Sequence, residues 1–240
     1  MSAKTQRLDK FLTATTDLTR SLAKKALHRE EVTVNGEVIK NPAQQIAATD
    51  EVCWQDEPLK LIGLRYLMLN KPLGYECSTK SSHNPLVSDL FGELAGRDRI
   101  NTVGRLDVNT TGLLLLTDDG QWMHRVISPK YQKEKVYRAA LAEPLVADAE
   151  ALVAEGLMLD GEELPTKPAT LERINPQLVR ITLTEGRYHQ VRRMFAALGN
   201  HVETLHREAV GGLKLDEQAL EPGQWRELNA AEIALLGGAQ

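Results

Sequence analysis

Four consecutive leucines at residues 113–116 follow a turn-forming stretch that carries a single acid, Asp107. A short apolar run bounded by turn residues is typical of a strand buried on both faces. A loop attached to such a strand holds a side chain rigidly and leaves it accessible to a ligand. Aspartate also stabilises turns through hydrogen bonds to its own backbone. This stretch by itself therefore favours a structural role for Asp107 and leaves an active role open.

The charge of the chain is distributed unevenly. The formal net charge of −4 over 240 residues argues against a nucleic-acid ligand. Residues 1–29, however, contain seven basic and two acidic residues, and residues 121–140 contain five basic residues and one acidic residue. Residues 141–172 contain eight acidic residues and one basic residue. This distribution predicts one surface that binds a polyanion and another that is acidic.

The sequence gives no indication of export, membrane insertion or metal binding. No apolar run approaches the roughly 20 residues of a membrane-spanning helix, and residues 1–10 lack the apolar core of a signal peptide. Cys53 and Cys77 fit neither a metal site nor a disulfide framework, and His189, His201 and His206 match no zinc-binding spacing. We therefore predict a cytoplasmic protein with no metal site, in which both cysteines are small buried residues.

Residues 7–13 and 18–27 both show the apolar spacing of a short amphipathic helix, and Thr19 is placed to cap the second one. The apolar side of this second helix is predicted to comprise Leu18, Leu22, Ala26 and Leu27. Its other side carries Arg20, Lys24, Lys25, His28 and Arg29. A charged side is most often simply solvated, but an excess of one sign indicates a phosphate-binding role.

The pair Asn35-Gly36 lies between two β-branched runs, which strongly indicates a tight hairpin. With a further strand near residues 51–54, this part of the chain resembles the S4 RNA-binding module. The matching residues are R-L-D-K-F-L at 7–12, the basic helix and V-T-V-N-G at 32–36. The resemblance implies that RNA phosphates are bound by Arg7, Lys10, Arg20, Lys24 and Lys25.

Residues 56–63 are polar and contain Pro58 and Gly63, so they are predicted to link two domains. After them, strand patterns predominate at residues 65–70, 113–116, 134–141, 179–184 and 201–215. Helical patterns occur irregularly between these strands rather than alternating with them. The sequence therefore predicts an α+β protein, with a small α/β RNA-binding domain at residues 1–60. A larger domain with a mixed, mainly antiparallel sheet is predicted at residues 61–240.

Four motifs follow one another in the larger domain. They are N-K-P-x-G at 70–74, G-R-L-D-x-x-T-T-G-L at 104–113, K-x-Y at 135–137 and G-R-Y-H-Q-V-R-R-M at 186–194. Together with the S4-like residues they resemble the pseudouridine synthases of the RsuA type, over nearly the whole chain. The resemblance implies conversion of a uridine in small-subunit ribosomal RNA to pseudouridine. This isomerisation moves the ribose C1′ bond from uracil N1 to C5, and it implies no cofactor.

The resemblance also assigns the site residues. Asp107 matches the catalytic aspartate, and Tyr137 matches the tyrosine that stacks on the target base. Arg192 matches the arginine that forms a salt bridge to this aspartate, with Arg193 as the alternative. Arg105 matches the arginine that fills the gap left by the flipped-out base.

Further contacts are expected around this site. Lys135 and Arg193 are expected to bind RNA, and the basic segment at residues 125–138 is expected to line the same cleft. Lys71 is expected to support the active loop. A carboxylate acts either as a nucleophile or as a base, so Asp107 has three open routes: attack at C1′, addition at uracil C6, or removal of a ribose proton.

The predicted partner is 16S ribosomal RNA, either free or within a small-subunit assembly intermediate, and the chain is expected to be monomeric. Two alternatives remain. One is a non-catalytic RNA-binding factor for ribosome assembly that keeps the same fold. The other is the same chemistry on large-subunit ribosomal RNA.

Overall fold

The computed structural model describes residues 5–16, 18–60, 63–80, 83–92, 94 and 97–237, apart from the side chain of residue 98. The chain divides into two compact units, Met1–Leu64 and Arg65–Gln240. We call them the first and the second unit and describe each one separately.

The first unit consists of two helices and short antiparallel strands. Its elements are β1 (Gln6–Arg7), α1 (Leu8–Thr15), α2 (Arg20–His28), β2 (Val32–Val34), β3 (Glu37–Val38), β4 (Gln45–Ile46), β5 (Val52–Trp54) and β6 (Glu57–Leu59). One sheet has the order β3-β2-β5-β6, and β1 pairs with β4. The hairpin prediction is confirmed, because Asn35 and Gly36 join β2 to β3 with φ angles of 52° and 83°.

Two predictions for the first unit are wrong in detail. Thr19 caps α2 as predicted, but Leu22 is 45% exposed, whereas Ala23 is buried. At about 100° per residue, residue 23 lies between Ala26 and Leu27 around the helix axis, whereas residue 22 lies about 140° from Leu27. The predicted linker at residues 56–63 contains strand β6. Its Pro58 is tolerated because β6 lies at the edge of the sheet, where a missing N–H breaks no ladder.

The second unit is built on one large sheet. Its first elements are β7 (Tyr66–Lys71), 3₁₀ turns at Val87–Phe91 and Arg97–Arg99, β8 (Asn101–Val103), β9 (Thr110–Thr117), α3 (Gly120–Ile127), a 3₁₀ turn at Pro129–Tyr131 and β10 (Lys135–Leu141). They are followed by α4 (Ala149–Glu155), β11 (Thr170–Asn175), β12 (Leu178–Leu183), α5 (Gln190–Ala197), β13 (Val202–Val210), β14 (Leu213–Lys214), β15 (Trp225–Glu227) and α6 (Ala230–Leu235). Strands β8, β11 and β15 were not expected from the sequence pattern.

The strand order of this sheet is β11-β12-β10-β13-β9-β7-β15, with β8 added to β9 and β14 added to β13. Strand β9 runs parallel to β13, and the other pairs are antiparallel. The predicted mixed, mainly antiparallel sheet is therefore confirmed.

Strand β9 is buried on both faces, as its leucine run predicts. Leu113 and Leu115 pack with Trp122 of α3 on one face. Leu114 and Leu116 pack on the other face against the 3₁₀ segment at Val87–Phe91. The four leucines are at most 2% exposed. The strand that follows Asp107 is thus fixed from both sides of the sheet.

Gly112 allows β9 and β13 to approach each other. It has a φ of 102°, and a Cβ placed on it would lie 2.3 Å from the carbonyl oxygen of Arg207. We expect Gly112→Ala to lower the free energy of unfolding by about 3 kcal/mol, through backbone strain and a steric clash. Chemical denaturation measures this change. Gly120→Ala is the matched control, because a Cβ placed on Gly120, the first residue of α3, would meet no neighbouring side chain or strand within 4 Å. A Gly112→Ala protein as stable as this control would contradict the assignment.

Candidate active site

Asp107 lies on a short loop between β8 and β9. We call residues 104–109 the Asp107 loop. The carbonyl oxygen of Asp107 accepts a hydrogen bond of 3.0 Å from the Thr110 N–H, and the Val108 carbonyl accepts one of 2.9 Å from the Gly74 N–H. Leu106 is 5% exposed and packs in the core beside β9. The backbone of the loop is therefore fixed, while the side chain of Asp107 is 36% exposed.

Lys71 supports the Asp107 loop through hydrogen bonds to backbone carbonyl oxygens. Its side chain is fully buried, and its Nζ donates to the carbonyl oxygens of Pro72, Asp107 and Thr110 at 3.1, 3.1 and 2.9 Å. Burial lowers the pKa of the Lys71 ammonium, because desolvation disfavours a charge. These contacts match the supporting role expected for Lys71.

The side chain of Asp107 borders a cavity of about 460 Å³, which we call the Asp107 cavity. The volume is within the range of small-ligand sites. Its lining includes Arg105, Asp107, Tyr137, Tyr188, His189 and Arg192. Arg105 is exposed and also borders a second cavity of about 340 Å³. The structure thus brings Asp107, Tyr137, Arg105 and Arg192 to one cavity, as the sequence predicted.

Tyr137 is held by the middle of the sheet. It lies on β10 between β12 and β13, opposite Ile181 and Arg207. The guanidinium carbon of Arg207 lies 6.0 Å from the centre of the Tyr137 ring. Arg207 is 4% exposed, and its Nε donates to the Leu113 carbonyl at 2.7 Å. A buried cation near this distance orients an aromatic ring, and no sequence pattern indicated this role for Arg207.

The predicted salt bridge between Asp107 and Arg192 is not formed among the described residues. Arg192 instead donates to the carbonyl oxygens of Val202 at 2.8 Å and Asn109 at 3.0 Å. It therefore ties α5 to β13 and to the Asp107 loop. Its Nε is buried without a hydrogen-bond partner. Arg192 thus contacts the Asp107 loop through the Asn109 carbonyl and not through the Asp107 carboxylate.

The carboxylate of Asp107 faces His189 instead. The His189 Nε2 lies 3.4 Å from the Asp107 Oδ1. His189 precedes α5 with a φ of 47°, a left-handed conformation that is uncommon for a non-glycine residue. Its ring stacks on that of Tyr188, with centroids 3.9 Å apart and an interplanar angle of 17°. The sequence motif contained His189, but its spacing did not indicate a partner for the acid.

Arg193 does not approach Asp107 either. Its Nη1 forms an ion pair of 2.8 Å with Glu162, and its Nη2 donates to the Asp160 carbonyl at 2.7 Å. The neighbouring Arg187 pairs with Glu162 at 3.5 Å and with Glu185 at 3.4 Å. Both arginines therefore hold surrounding loops. RNA binding by Arg193 stays a prediction, and it would require Arg193 to leave Glu162 for an RNA phosphate.

The basic segment at residues 125–138 was expected to line the same cleft. Among the described residues that line the Asp107 cavity, only Tyr137 comes from this segment. Arg138 forms ion pairs of 3.3 Å with Glu208 and 3.1 Å with Glu217. Successive strand residues point to opposite faces of a sheet, so Arg138 lies on the other face from Tyr137. Lys135 donates to the Lys133 carbonyl at 2.9 Å, and burial lowers its pKa.

In the first unit, the predicted RNA-binding cations lie on the surface. Lys10, Arg20, Lys24 and Lys25 are exposed. Arg7 forms two hydrogen bonds with Asp9, at 2.8 and 3.0 Å, and this contact lowers the pKa of the Asp9 carboxyl. Of these residues, Arg20, Lys24 and Lys25 share helix α2 and form one exposed cationic group.

Within the part of the chain that the structure describes, no group of three or more histidine, cysteine or acidic residues is arranged to hold a metal ion. No helix in that part combines the length and apolar composition that a membrane span requires.

Asp107, Tyr137 and Arg192 thus border one cavity of about 460 Å³, which is large enough for a nucleotide. Residues 65–197 match the RNA pseudouridylate synthase family, and residues 6–52 match the S4 domain. This chain therefore belongs to the RNA pseudouridylate synthase family. The predicted fold and enzyme class are confirmed.

Individual relatives match almost the full chain. The ribosomal small subunit pseudouridine synthase A of Pasteurella multocida is 51% identical over 230 residues, which are 95% of this chain and 98% of that protein. The protein of the same name from Escherichia coli K12 is 46% identical over 229 residues, again 95% and 98% of the two chains. A crystal structure of a pseudouridylate synthase superposes with a TM-score of 0.69 at 48% identity, covering 96% of this chain and 99% of its own.

Proposed function

We propose that this enzyme isomerises one uridine of 16S ribosomal RNA to pseudouridine, using Asp107 on a nucleotide flipped into the Asp107 cavity. The observation that carries the proposal is the position of Asp107, which a fully buried lysine and a buried strand hold at the wall of a nucleotide-sized cavity. The names of the relatives support the small-subunit substrate.

The reaction needs no net gain or loss of atoms. The bond from ribose C1′ to uracil N1 breaks, a bond from C1′ to C5 forms, the proton on C5 is lost, and N1 gains one. Asp107 begins this sequence by attack at C1′, addition at C6 or removal of a ribose proton. Each route requires a carboxylate within reach of the nucleotide. A loop fixed by Lys71 satisfies this requirement without rearrangement.

The other residues bind and orient the RNA. Tyr137, held near Arg207, supplies a ring face for the target uracil. Arg105 is exposed and borders both cavities, and its guanidinium can replace the extruded base in the stack. Arg192 positions the Asp107 loop through the Asn109 carbonyl. We further propose that the enzyme acts as a monomer in the cytoplasm.

Mass-spectrometric mapping of pseudouridine in ribosomal RNA, from cells with and without this gene, tests the proposed function. We expect one 16S position to lose its pseudouridine when the gene is absent. Loss at a large-subunit position instead would assign the same chemistry to the other RNA. No loss at any position would favour the non-catalytic assembly factor. Turnover on a free 16S transcript, compared with partly assembled small subunits, identifies the physical form of the substrate.

The exposed cations of α2 are expected to bind RNA phosphates. We expect the triple variant Arg20→Gln, Lys24→Gln, Lys25→Gln to bind 16S RNA more weakly and to reduce the slope of log affinity against log salt by about 2 to 3. Each lost phosphate contact accounts for about 0.7 to 0.9 of the slope. Binding titrations at several salt concentrations measure this change.

The matched control for this triple variant is Lys40→Gln. Lys40 lies in the same unit and pairs with Glu30 at 2.7 Å. We expect the control to leave the salt slope unchanged. A triple variant whose slope equals that of the control would count against an RNA-binding role for α2.

A further inference from the structure

Tyr188 is a highly exposed aromatic residue beside the Asp107 cavity. It is 76% exposed, more than any other large hydrophobic or aromatic side chain in the described part of the chain. Burying an aromatic ring releases a large apolar area from water, so an open ring beside a cavity offers a contact surface to a ligand of that cavity. Tyr188 borders the Asp107 cavity, and Tyr137 already provides a ring face within it.

The two rings of Tyr188 and His189 form a rigid pair. They are nearly parallel, with an interplanar angle of 17° and centroids 3.9 Å apart. One face of the Tyr188 ring is therefore covered by His189. With 76% of the residue exposed, the other face is open to solvent. The Nε2 of His189 lies 3.4 Å from the Asp107 carboxylate, so the stack begins at the catalytic acid and ends at the surface.

The backbone that carries this pair is held on both sides. Arg193 donates to the Tyr188 carbonyl at 3.3 Å. Before Tyr188, the Arg187 N–H donates to the Gln190 side chain at 2.8 Å, and that side chain donates to Glu185 at 2.7 Å. The left-handed conformation of His189 costs free energy that the fold must offset. A fixed, strained backbone that presents a flat ring pair is consistent with a binding role rather than a loose surface loop.

We propose that the Tyr188–His189 ring pair is a stacking platform for the nucleobase next to the target uridine. This inference rests on the proposed function and specifies how its site holds single-stranded RNA. A nucleobase is the occupant that the observations favour, because the site beside the platform takes a flipped nucleotide whose chain neighbour must leave the cavity at its rim. A base has a flat π-face that matches an exposed phenol ring, whatever the base is.

The test compares two probes, decauridylate and UMP, by calorimetric titration of the full-length protein. Both probes can place a uridine in the Asp107 cavity, but UMP has no neighbouring base. Stacking contributes about 1–3 kcal/mol per base, so we expect Tyr188→Ala to weaken decauridylate binding by about 5- to 150-fold. We expect its affinity for UMP to change by less than about twofold. Tyr188→Phe retains the ring and is expected to retain most of the decauridylate affinity.

Tyr131→Ala is the matched control, since Tyr131 is also exposed, at 46%, but lies outside the described lining of the Asp107 cavity. The proposal is overturned if Tyr188→Ala binds decauridylate like the wild type, if it loses UMP affinity equally, or if Tyr188→Phe or Tyr131→Ala loses as much. These titrations need no turnover. If Tyr188 supports decauridylate binding but the protein forms no pseudouridine, the proposed reaction is wrong and the stacking platform is still supported.

Discussion

Asp107→Asn is expected to abolish pseudouridine formation, lowering turnover by on the order of 10⁴-fold or more. An amide is neither a useful nucleophile nor a base, so the substitution removes all three routes open to the carboxylate. RNA binding should change little, because the phosphate contacts proposed for α2 do not involve this side chain. Primer extension after carbodiimide treatment measures the modification, and filter binding measures the affinity.

The loop should survive this substitution. Lys71 and the Thr110 N–H bind the main-chain carbonyl of Asp107, not its side chain. An asparagine therefore leaves the support of the loop in place. Asp148→Asn is the matched control, since Asp148 precedes α4 without a side-chain capping bond and should keep full activity. Wild-type turnover in Asp107→Asn would remove the catalytic assignment.

Local patterns predicted the features that depend on neighbours in sequence. The leucine run gave the doubly buried strand β9, and Asn35-Gly36 gave the hairpin between β2 and β3. Both follow from burial periodicity and from the φ angles that a turn requires. The strand Glu57–Leu59 was missed because a proline and polar neighbours hide an edge strand, which needs few apolar residues.

The candidate site was predictable as a set of residues but not as a set of contacts. The motifs selected Asp107, Tyr137 and Arg192, and these three residues border one cavity in the structure. The partner of the acid was not predictable, because the direction of a long arginine side chain depends on carbonyl groups that are distant in sequence. The role of Arg207 was hidden for the same reason, since its contact with Tyr137 requires the pairing of β10 with β13.

Lys71→Met is expected to lower both stability and turnover, although Lys71 lies outside the described lining of the Asp107 cavity. Methionine fills a similar volume but donates no hydrogen bond, so the carbonyls of Pro72, Asp107 and Thr110 lose a shared donor. Leaving buried acceptors unsatisfied should lower the free energy of unfolding by on the order of 3 kcal/mol. Chemical denaturation followed by circular dichroism measures this loss.

The effect of Lys71→Met on turnover follows from position rather than from chemistry. A displacement of the Asp107 loop by about 1 Å is enough to lower the rate by on the order of 10²-fold. The rate is therefore compared at a temperature where circular dichroism shows the variant folded. Lys214→Met, at an exposed strand position, should change stability by less than about 0.5 kcal/mol. If folded Lys71→Met turned over like Lys214→Met, the Asp107 loop would hold its geometry without Lys71, and the buried ammonium would serve stability alone.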